Sequence, residues 1–281
     1  MTDLDRLASW LRCPVCAADL APVDRLVLGC ANGHRHDVNK RGYISLLGGS
    51  KHVGDSAPML DARDAVLEGG LYTAIASALA AAVPESALRI LDAGAGTGYY
   101  LRAALAARPE ATGLAMDLSP AAVTRATRSS DRIDGLVADT WRPLPLHDAA
   151  CDVILDVFAP RNLPEFARVL EPGGTLIVVV PRATHLASLR NGTAMLDVPD
   201  DKALDVITAA APLYALQGRE HVEETLAVDE PLRRALIGMG PSAHHVDAGT
   251  GTGTGIVGLP SETRLDVDVL HFSVRDGGRS R

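Results

Sequence analysis

The sequence predicts an α/β protein in which a mainly parallel, doubly wound sheet follows a small N-terminal metal-binding module. From residue 88 onward, apolar strand-like runs alternate with helical segments, a pattern typical of parallel sheets with right-handed crossovers. Three of the four cysteines and a histidine lie within the first 34 residues, which indicates a metal site rather than a disulfide framework. The 281 residues, 47% of them hydrophobic, suffice for one large domain and a small one.

Composition and charge bound the class of protein. No apolar run reaches the ~18 residues of a membrane span, so we expect no membrane association. The N-terminus is acidic and has the features of neither a secretory signal nor a transit peptide, and we therefore expect a cytoplasmic protein. The net charge of −8 argues against a nucleic-acid partner, yet residues 25–52 contain five basic residues and one acidic residue. This basic segment is compatible with RNA contact, and an ordinary solvated surface explains it equally well.

The metal-binding module is predicted from the spacing of Cys13, Cys16, Cys30 and His34. Two residues separate the first two cysteines, thirteen separate Cys16 from Cys30, and three separate Cys30 from His34. Three thiolates and an imidazole complete the tetrahedral shell of one structural Zn²⁺, with His36 as the fallback fourth ligand. A β-hairpin is predicted at 20–29, so the module is zinc-ribbon-like and gains much of its folding energy from the metal.

The segment after this module is basic and rich in glycine. We predict a short strand at 43–47, a loop that carries Lys51, and two helices at 61–67 and 72–82. The loop is a candidate contact surface or, equally, an interdomain linker. The predicted divisions of the chain are a zinc-binding module (1–50), a linker with helices (51–84) and an α/β domain (85–275).

The α/β domain is predicted to be Rossmann-like, with its ligand at the carboxyl ends of the strands. Its first strand ends at Asp92, and a helix begins near Tyr99. The further predicted strands are 112–117, 135–139, 151–158 and 174–180, and the further helices are 120–128 and 163–170.

A glycine-rich turn joins the first strand to its helix and indicates the class of ligand. Gly94, Gly96 and Gly98 follow Asp92 at alternate positions, and glycine lets the backbone approach a nucleotide-like ligand closely. A dinucleotide fingerprint needs its third glycine where Tyr99 stands, and the sequence contains no P-loop. The pattern is instead the Asp-x-Gly-x-Gly-x-Gly signature of S-adenosylmethionine (SAM) methyltransferases.

Three residues beyond the turn strengthen the SAM interpretation. Asp117 ends the second strand, where a carboxylate can accept hydrogen bonds from both ribose hydroxyls. Asp139 ends the third predicted strand, where it can accept from the adenine amino group, and Leu118 offers an apolar edge to the adenine ring. A second glycine-rich run, 250–255, follows no strong strand, and we interpret it as a low-complexity loop.

In combination these motifs resemble the RlmA-type 23S ribosomal RNA guanine-N1 methyltransferases, including the branch associated with macrolide (tylosin-type) resistance. The resemblance covers nearly the whole chain. Its carriers are Cys13, Cys16, Cys30, His34, the segments 39–43, 54–56, 70–72, 91–100, 158–160, 168–174 and 181–186, and Met59, Ala62 and Arg63.

The resemblance implies a function. A methyl group would pass from SAM to N1 of a guanine in a 23S rRNA hairpin, guanine 748 rather than guanine 745, with a role in macrolide resistance. Tyr72, Thr97, Gly98 and His185 would contact the cofactor. The zinc module would help to recognise the hairpin, and the oligomeric state stays open, a homodimer included. The candidate RNA-binding residues are Arg35, Lys40, Arg41 and Lys51.

Guanine N1 faces its pairing partner, so the target base must be unpaired or flipped out of its helix. Phe158 and Pro160, after the fourth strand, are positioned to stack on the base. Asp156 is a candidate general base by position alone, and its side chain points away from the ligand at least as readily.

Three alternative functions remain open from the sequence. The acidic net charge favours a small-molecule methyltransferase that carries an unrelated zinc module. A non-catalytic RNA-binding protein with a vestigial SAM pocket is the second alternative, which the intact glycine-rich turn disfavours. A NAD-dependent oxidoreductase is the third, and Tyr99 disfavours it.

Overall fold

The structure, a computed structural model, describes residues 2–48, 54–190, 193, 195–240 and 260–275. Its N-terminal part contains a short helix, four short strands and then two longer helices. These elements are α1 (Leu4–Ala8), β1 (Leu20–Asp24), β2 (Val27–Cys30), β3 (Arg35–Asn39), β4 (Tyr43–Ser45), α2 (Ala57–Glu68) and α3 (Thr73–Ala82).

The rest of the described chain alternates strands with helices and adds an antiparallel strand pair near its end. Its elements are β5 (Arg89–Ala93), α4 (Tyr99–Ala107), β6 (Thr112–Asp117), α5 (Pro120–Ser129), β7 (Ile133–Val137), β8 (Cys151–Val157), α6 (Leu163–Val169), β9 (Leu170–Pro181), α7 (Ala187–Arg190), α8 (Lys202–Ala210), β10 (Tyr214–Ala227), α9 (Glu230–Gly238) and β11 (Glu262–Val274).

The described strands form one sheet in the order β1-β2-β3-β4-β7-β6-β5-β8-β9-β11-β10. The six strands from β4 to β9 are parallel, and the strands at both flanks are antiparallel. The chain runs outward from β5 through β6 to β7 and then continues on the other side of β5 with β8 and β9. The direction of winding therefore reverses between β5 and β8, where ligands bind in such sheets. The predicted doubly wound fold is confirmed.

The N-terminal strands continue the sheet of the α/β domain. β4 pairs in parallel with β7, with Tyr43 beside Gly135. Leu28 and Val38, from β2 and β3, belong to the same buried apolar cluster as Leu136 of β7. Because the two parts share one core, loss of structure in the N-terminal strands exposes apolar surface of the sheet.

The sequence-based elements differ from the structure in several places. The helix α1 and the strand β3 were not predicted, and α2 and β9 each begin four residues before their predicted starts. The strand predicted at 135–139 lies at Ile133–Val137, so Asp139 lies two residues beyond its end. The strands β10 and β11 and the helices between and before them were not predicted. β10 carries a run of exposed polar residues that hides its alternation, and β10 is ordered by pairing with β11, which is distant in sequence.

No single helix among the described residues is long and apolar enough to cross a membrane. Only α2 and α3 taken together pass by length and composition, and the pair is bent by 80° at the break between them.

Candidate active site and metal centre

The cysteine and histidine side chains of the N-terminal module meet at one point. One ligand atom from each of Cys13, Cys16, Cys30 and His34 lies within 4.8 Å of all the others. Cys16 Sγ lies 3.7 Å from Cys30 Sγ, and Cys30 Sγ lies 3.3 Å from His34 Nδ1. A tetrahedral zinc with bonds of ~2.3 Å to sulfur separates two sulfurs by about 3.8 Å. The donor set and its spacing therefore fit one zinc ion.

Tight turns aim these ligands inward. The backbone N–H of Ala17 donates to the carbonyl of Cys13 at 2.8 Å and closes the turn that holds the first two cysteines. In the second turn the N–H of Gly33 donates to the carbonyl of Cys30 at 3.0 Å, and Gly33 has a φ of 83°, which favours glycine. His36, the fallback ligand, has its Nε2 3.6 Å from Cys13 Sγ and stands beside the cluster.

The glycine-rich turn lies at the carboxyl end of β5, at the point where the winding reverses. The N–H groups of Gly94 and Ala95 both donate to the carbonyl of Met116 on β6, at 2.8 and 3.0 Å. Gly94 has a φ of 85°, and a Cβ there would lie 2.5 Å from the Cβ of Ala159. The turn can therefore pass under the loop after β8 only because this residue is glycine.

A cavity of about 240 Å³, which we call the main cavity, lies against this turn. The loop after β8, the segment that follows β9, and helices α2 and α9 close it. Of the sequence-predicted residues, those that line it are Tyr72, Gly94, Gly96, Thr97, Phe158 and His185. The tertiary structure thus brings together residues that lie up to 113 positions apart in the sequence.

Three aromatic rings form one wall of the main cavity. The ring of Phe158 stacks on that of His185, with centroids 5.8 Å apart and planes inclined by 27°. Tyr72 contacts both, at 6.3 Å from Phe158 and 6.1 Å from His185. Tyr72 and His185 are buried, whereas Phe158 is 41% exposed at the mouth. Phe158 has a φ of 54°, which is uncommon for a residue with a side chain and is characteristic of functional loops.

The orientation of His185 is set by the backbone of β11. The N–H of Asp266 donates to His185 Nδ1 at 3.2 Å. Burial, together with the positive charge of Arg190, lowers the pKa of His185 to about 4, so the ring is neutral at pH 7. A neutral imidazole that accepts at Nδ1 carries its proton on Nε2. His185 is therefore a hydrogen-bond donor and is not poised as a base.

Several buried polar atoms at the main cavity have no partner among the described residues. They are Tyr72 Oη, Thr97 Oγ1 and Tyr100 Oη. Asp92, beneath the glycine-rich turn, also has one carboxylate oxygen without a hydrogen bond. Buried polar groups are normally hydrogen-bonded, so these atoms fit a site that receives a polar ligand with an extended shape.

Asp156 does not reach the main cavity. Side chains alternate along β8, and Val157 lines the cavity, so Asp156 faces the opposite side of the sheet. There its carboxylate accepts a hydrogen bond from Arg161 Nη1 at 2.9 Å. Burial raises the pKa of Asp156 to about 8, although Arg161 opposes the shift. Of the two orientations that the sequence left open for Asp156, the structure has the one that points away from the main cavity.

The predicted adenosine-binding residues lie beside the turn, outside the wall of the main cavity. Asp117 accepts from the N–H of Gly96 at 2.9 Å and from that of Ser119 at 2.8 Å. Leu118, which lies between Asp117 and Ser119 in the sequence, is half-buried. Asp139 accepts a hydrogen bond from the backbone N–H of Trp141 at 3.0 Å. The other two predicted residues outside the wall are Gly98, the N-cap of α4, and Pro160, which is exposed.

Two of the predicted RNA-binding cations, Lys40 and Arg41, lie at the end of the sheet opposite to the main cavity. Lys40 and Arg41 precede β4, which is parallel to β7, so they lie at the amino end of the sheet beside Ser130 and Asp131. The main cavity lies at the carboxyl end. Arg35 is exposed on β3 of the zinc module, and Lys51 lies outside the described residues.

The two arginines that line the main cavity were not identified from the sequence as site residues. Arg63 of α2 forms an ion pair with Asp55 at 2.6 Å and donates to the carbonyl of Met239 at 3.1 Å, and it lies over Gly96. Arg190 ends α7 and lines the cavity beside His185. Arg63 was quoted only among the residues that carry the family resemblance, and Arg190 belongs to no motif, so the fold is what places both at the cavity.

Solved structures similar to this chain show its fold. A chain in the complex between the Haloferax volcanii Trm112 methyltransferase activator and a methyltransferase gives a TM-score of 0.53 at 19% identity, covering 80% of this chain and all of that one. The MccD protein gives 0.51 at 14% identity, covering 74% of this chain and 98% of that one.

Sequence comparison gives one match in the α/β domain and another in the N-terminal zinc-binding module. A methyltransferase-domain family matches residues 90–174, and the family described as RlmA, N-terminal, a zinc ribbon, matches residues 11–51. Fold, turn and cysteine cluster together define a methyltransferase with an N-terminal zinc ribbon.

Two relatives match most of the chain. The 23S rRNA (guanine(748)-N(1))-methyltransferase of Streptomyces fradiae is 41% identical over 244 residues, which are 85% of this chain and 87% of the relative. A protein of Micromonospora griseorubida named as a 23S rRNA (guanine-N(1)-)-methyltransferase is 40% identical, covering 86% of this chain and 89% of the relative. The chain belongs to the RlmA-type family of 23S rRNA guanine-N1 methyltransferases.

Proposed function

We propose that this protein transfers the methyl group of SAM to N1 of a guanine in a 23S rRNA hairpin. The observation that carries the substrate class is the identity of 41% with the Streptomyces fradiae enzyme, because it extends over 85% of this chain and 87% of that enzyme. The glycine-rich turn offers a place for SAM, and the aromatic wall beside it offers a stacking surface for the guanine base, so the two together support methyl transfer.

The cofactor part of the proposal uses the buried polar atoms at the turn. Tyr72 and Thr97 each offer a hydroxyl without a partner, and His185 offers its Nε2–H. Gly98 begins α4, whose amino end favours polar groups. Bound SAM supplies an electrophilic methyl group on a sulfonium centre, and the products are the N1-methylated guanine, S-adenosylhomocysteine and one proton.

The adenosine end of the cofactor is assigned to the acids beside the turn. Each oxygen of Asp117 accepts one backbone hydrogen bond and keeps a further lone pair for ribose hydroxyls. Asp139 and Leu118 would flank the adenine ring, and Asp92 supports the turn from beneath.

Phe158 is proposed to stack on the flipped guanine. It is the exposed member of the aromatic wall, and its ring is already parallel to that of His185 within 27°. Unpaired bases bind proteins by stacking on such rings. No described cavity residue is an aspartate or glutamate, so the residues of the cavity orient the base, and its N1 proton leaves through the open mouth.

The RNA would contact the protein at both ends of the sheet. The target base would enter the main cavity at the carboxyl end, and the rest of the hairpin would contact basic residues that include Lys40 and Arg41 at the amino end. The zinc ribbon, held by one structural Zn²⁺ ion, would contact the hairpin through Arg35 and the cations Lys40, Arg41 and Lys51. Guanine 748 is the proposed target because the Streptomyces fradiae relative is named for it. Modification of that guanine would then serve macrolide resistance. A ribosomal substrate would also agree with a cytoplasmic location, which we propose for this enzyme.

Incubation with labelled SAM and unmethylated 23S rRNA tests the proposal. Label should appear on N1 of one guanine in the hairpin. Phe158→Ala should reduce the rate by about five- to 150-fold, since stacking contributes ~1–3 kcal/mol, without weakening S-adenosylhomocysteine binding. Labelling of a small molecule but of no RNA would overturn the proposal. Label at the neighbouring guanine would overturn only the choice of position.

A further inference from the structure

Arg190 is a partly buried cation that has no anionic partner among the described residues. It is the last residue of α7 and lines the main cavity. Its Nη2 donates to the carbonyl of Ala183. Its Nε and Nη1 each expose less than 1 Å² and have no hydrogen-bond partner among the described residues.

Other arginines near the cavity are neutralised by the protein. Arg63 pairs with Asp55 at 2.6 Å. Arg182, which adjoins the cavity residue Pro181, pairs with Asp266 and Asp268 at 3.2 Å. No carboxylate of the described residues forms an ion pair with Arg190. Burial of a charge without a partner is costly, so the N–H groups of Arg190 are suited to an anionic group of a ligand.

We propose that Arg190 binds the carboxylate of the methionine portion of SAM, an inference that rests on the proposed function. A carboxylate accepts charge-assisted hydrogen bonds from several N–H donors of a guanidinium. The sulfonium and ammonium of the same ligand are cations and would be repelled from this position. The carboxylate is the anionic group of the ligand that the cavity is proposed to hold.

The depth of Arg190 distinguishes this carboxylate from an RNA phosphate. The two free nitrogens are buried, whereas Phe158, the proposed contact of the target base, is exposed at the mouth. A phosphate carries a ribose on each side and must stay where the RNA backbone can pass. The neighbours of Arg190 also favour the carboxylate of SAM. His185 lies beside Arg190 and contacts Tyr72, and both of these residues are proposed to bind SAM.

Calorimetric titration of the full chain with two ligands tests this assignment. S-adenosylhomocysteine has the methionine carboxylate, and 5′-methylthioadenosine shares the adenosine and the sulfur but has no amino-acid group. Arg190→Met should raise the Kd of the first at least about tenfold, as expected for a lost charged hydrogen bond. It should change the Kd of the second by less than about threefold. Arg234→Met, which removes the same charge from an exposed residue of α9, is the control.

Three outcomes would overturn the proposal. Equal weakening of both ligands would mean that Arg190 only supports the shape of the cavity. Unchanged S-adenosylhomocysteine affinity of Arg190→Met, together with a raised KM for RNA, would assign Arg190 to an RNA phosphate. Absence of S-adenosylhomocysteine binding by the unmodified chain would show that the cavity does not bind this ligand. Because the titration contains no RNA, the selective loss can be observed even if the rRNA proposal fails.

Discussion

The metal cluster and the main cavity are built in opposite ways. The four cluster ligands lie within 22 consecutive residues, on two turns whose conformations are local. The main cavity draws on residues from Arg63 to Gly240, which belong to several helices, strands and loops. Spacing in the sequence therefore specifies the first site, whereas strand order specifies the second.

The two sites are also coupled unequally to the fold. The metal cluster anchors β1 to β3, whose apolar residues share a core with β7. The main cavity lies at the end of strands that are already paired on both sides. Damage to the cluster should consequently affect the whole sheet, and damage to the cavity should mostly affect ligand binding.

The largest expected effect is that of Cys16→Ser. It should reduce bound zinc from about one ion per chain to near zero and destabilise the fold by several kcal/mol, since structural zinc sites contribute ~10–16 kcal/mol of binding free energy. Metal analysis and thermal unfolding measure the two effects. Cys151→Ala, at the cysteine buried in β8, should lower stability but leave the metal content unchanged. Equal zinc contents in the two variants would contradict the assignment.

Gly94→Ala should have the next largest effect, and it should act on ligand binding. The new Cβ meets Ala159 at 2.5 Å in a backbone conformation with a φ of 85°. We expect about 1–3 kcal/mol of destabilisation from overpacking and loss of detectable S-adenosylhomocysteine binding because the turn must move.

Gly173→Ala separates the steric effect of that change from backbone strain. Gly173 has a φ of 75° with no atom within 4 Å of the added Cβ. This control should show only the strain of a left-handed residue, ~1–2 kcal/mol, with normal ligand binding. Equal ligand affinities in the two variants would show that the close packing under Ala159 is not needed for the site.

The smallest expected effect concerns Asp92 and the pH dependence of stability. Burial, with a further contribution from the charge of Asp117, raises the pKa of Asp92 to about 8 in the folded ligand-free chain, against 3.8 for the ordinary carboxyl. Between these values the folded chain keeps a proton that the unfolded chain releases. The contribution of Asp92 to the free energy of unfolding is therefore fully present below pH ~4. It is lost progressively as the pH rises toward 8.

Asp92→Asn should remove part of this fall. The decrease in unfolding free energy between pH 5 and 8, measured by urea titration, should be smaller than that of the unmodified protein by about 1 kcal/mol or more. Asp205→Asn, at an exposed residue of α8, is the control. An unchanged pH slope in Asp92→Asn would mean that Asp92 is ionised in the folded state. Some slope should persist because Asp156 also has its pKa raised to about 8 by burial.

The sequence predicted the elements whose pattern is local. β6 lies at Thr112–Asp117 and α4 begins at Tyr99, as the apolar alternation and the glycine-rich turn indicate. β10 escaped prediction because long-range pairing, and not its own alternation of residues, specifies it as a strand.

Position along a strand did not determine which way a side chain points. Asp156 was a candidate by position, and its place between Leu155 and Val157 turned it to the other face of the sheet. Lys40 and Arg41 were candidates by charge, and the parallel pairing of β4 with β7 put them at the amino end of the sheet.

By itself the sequence determined the zinc-ligand set, the glycine-rich turn and the alternation of strands and helices, because each is encoded by residues a few positions apart. Only the tertiary structure decided that Tyr72, Phe158 and His185 form one wall. It also decided that two nitrogens of Arg190 lie buried near this wall with no partner among the described residues. Those relations depend on strand order and on helix packing, which bring distant segments together and remove water from between them.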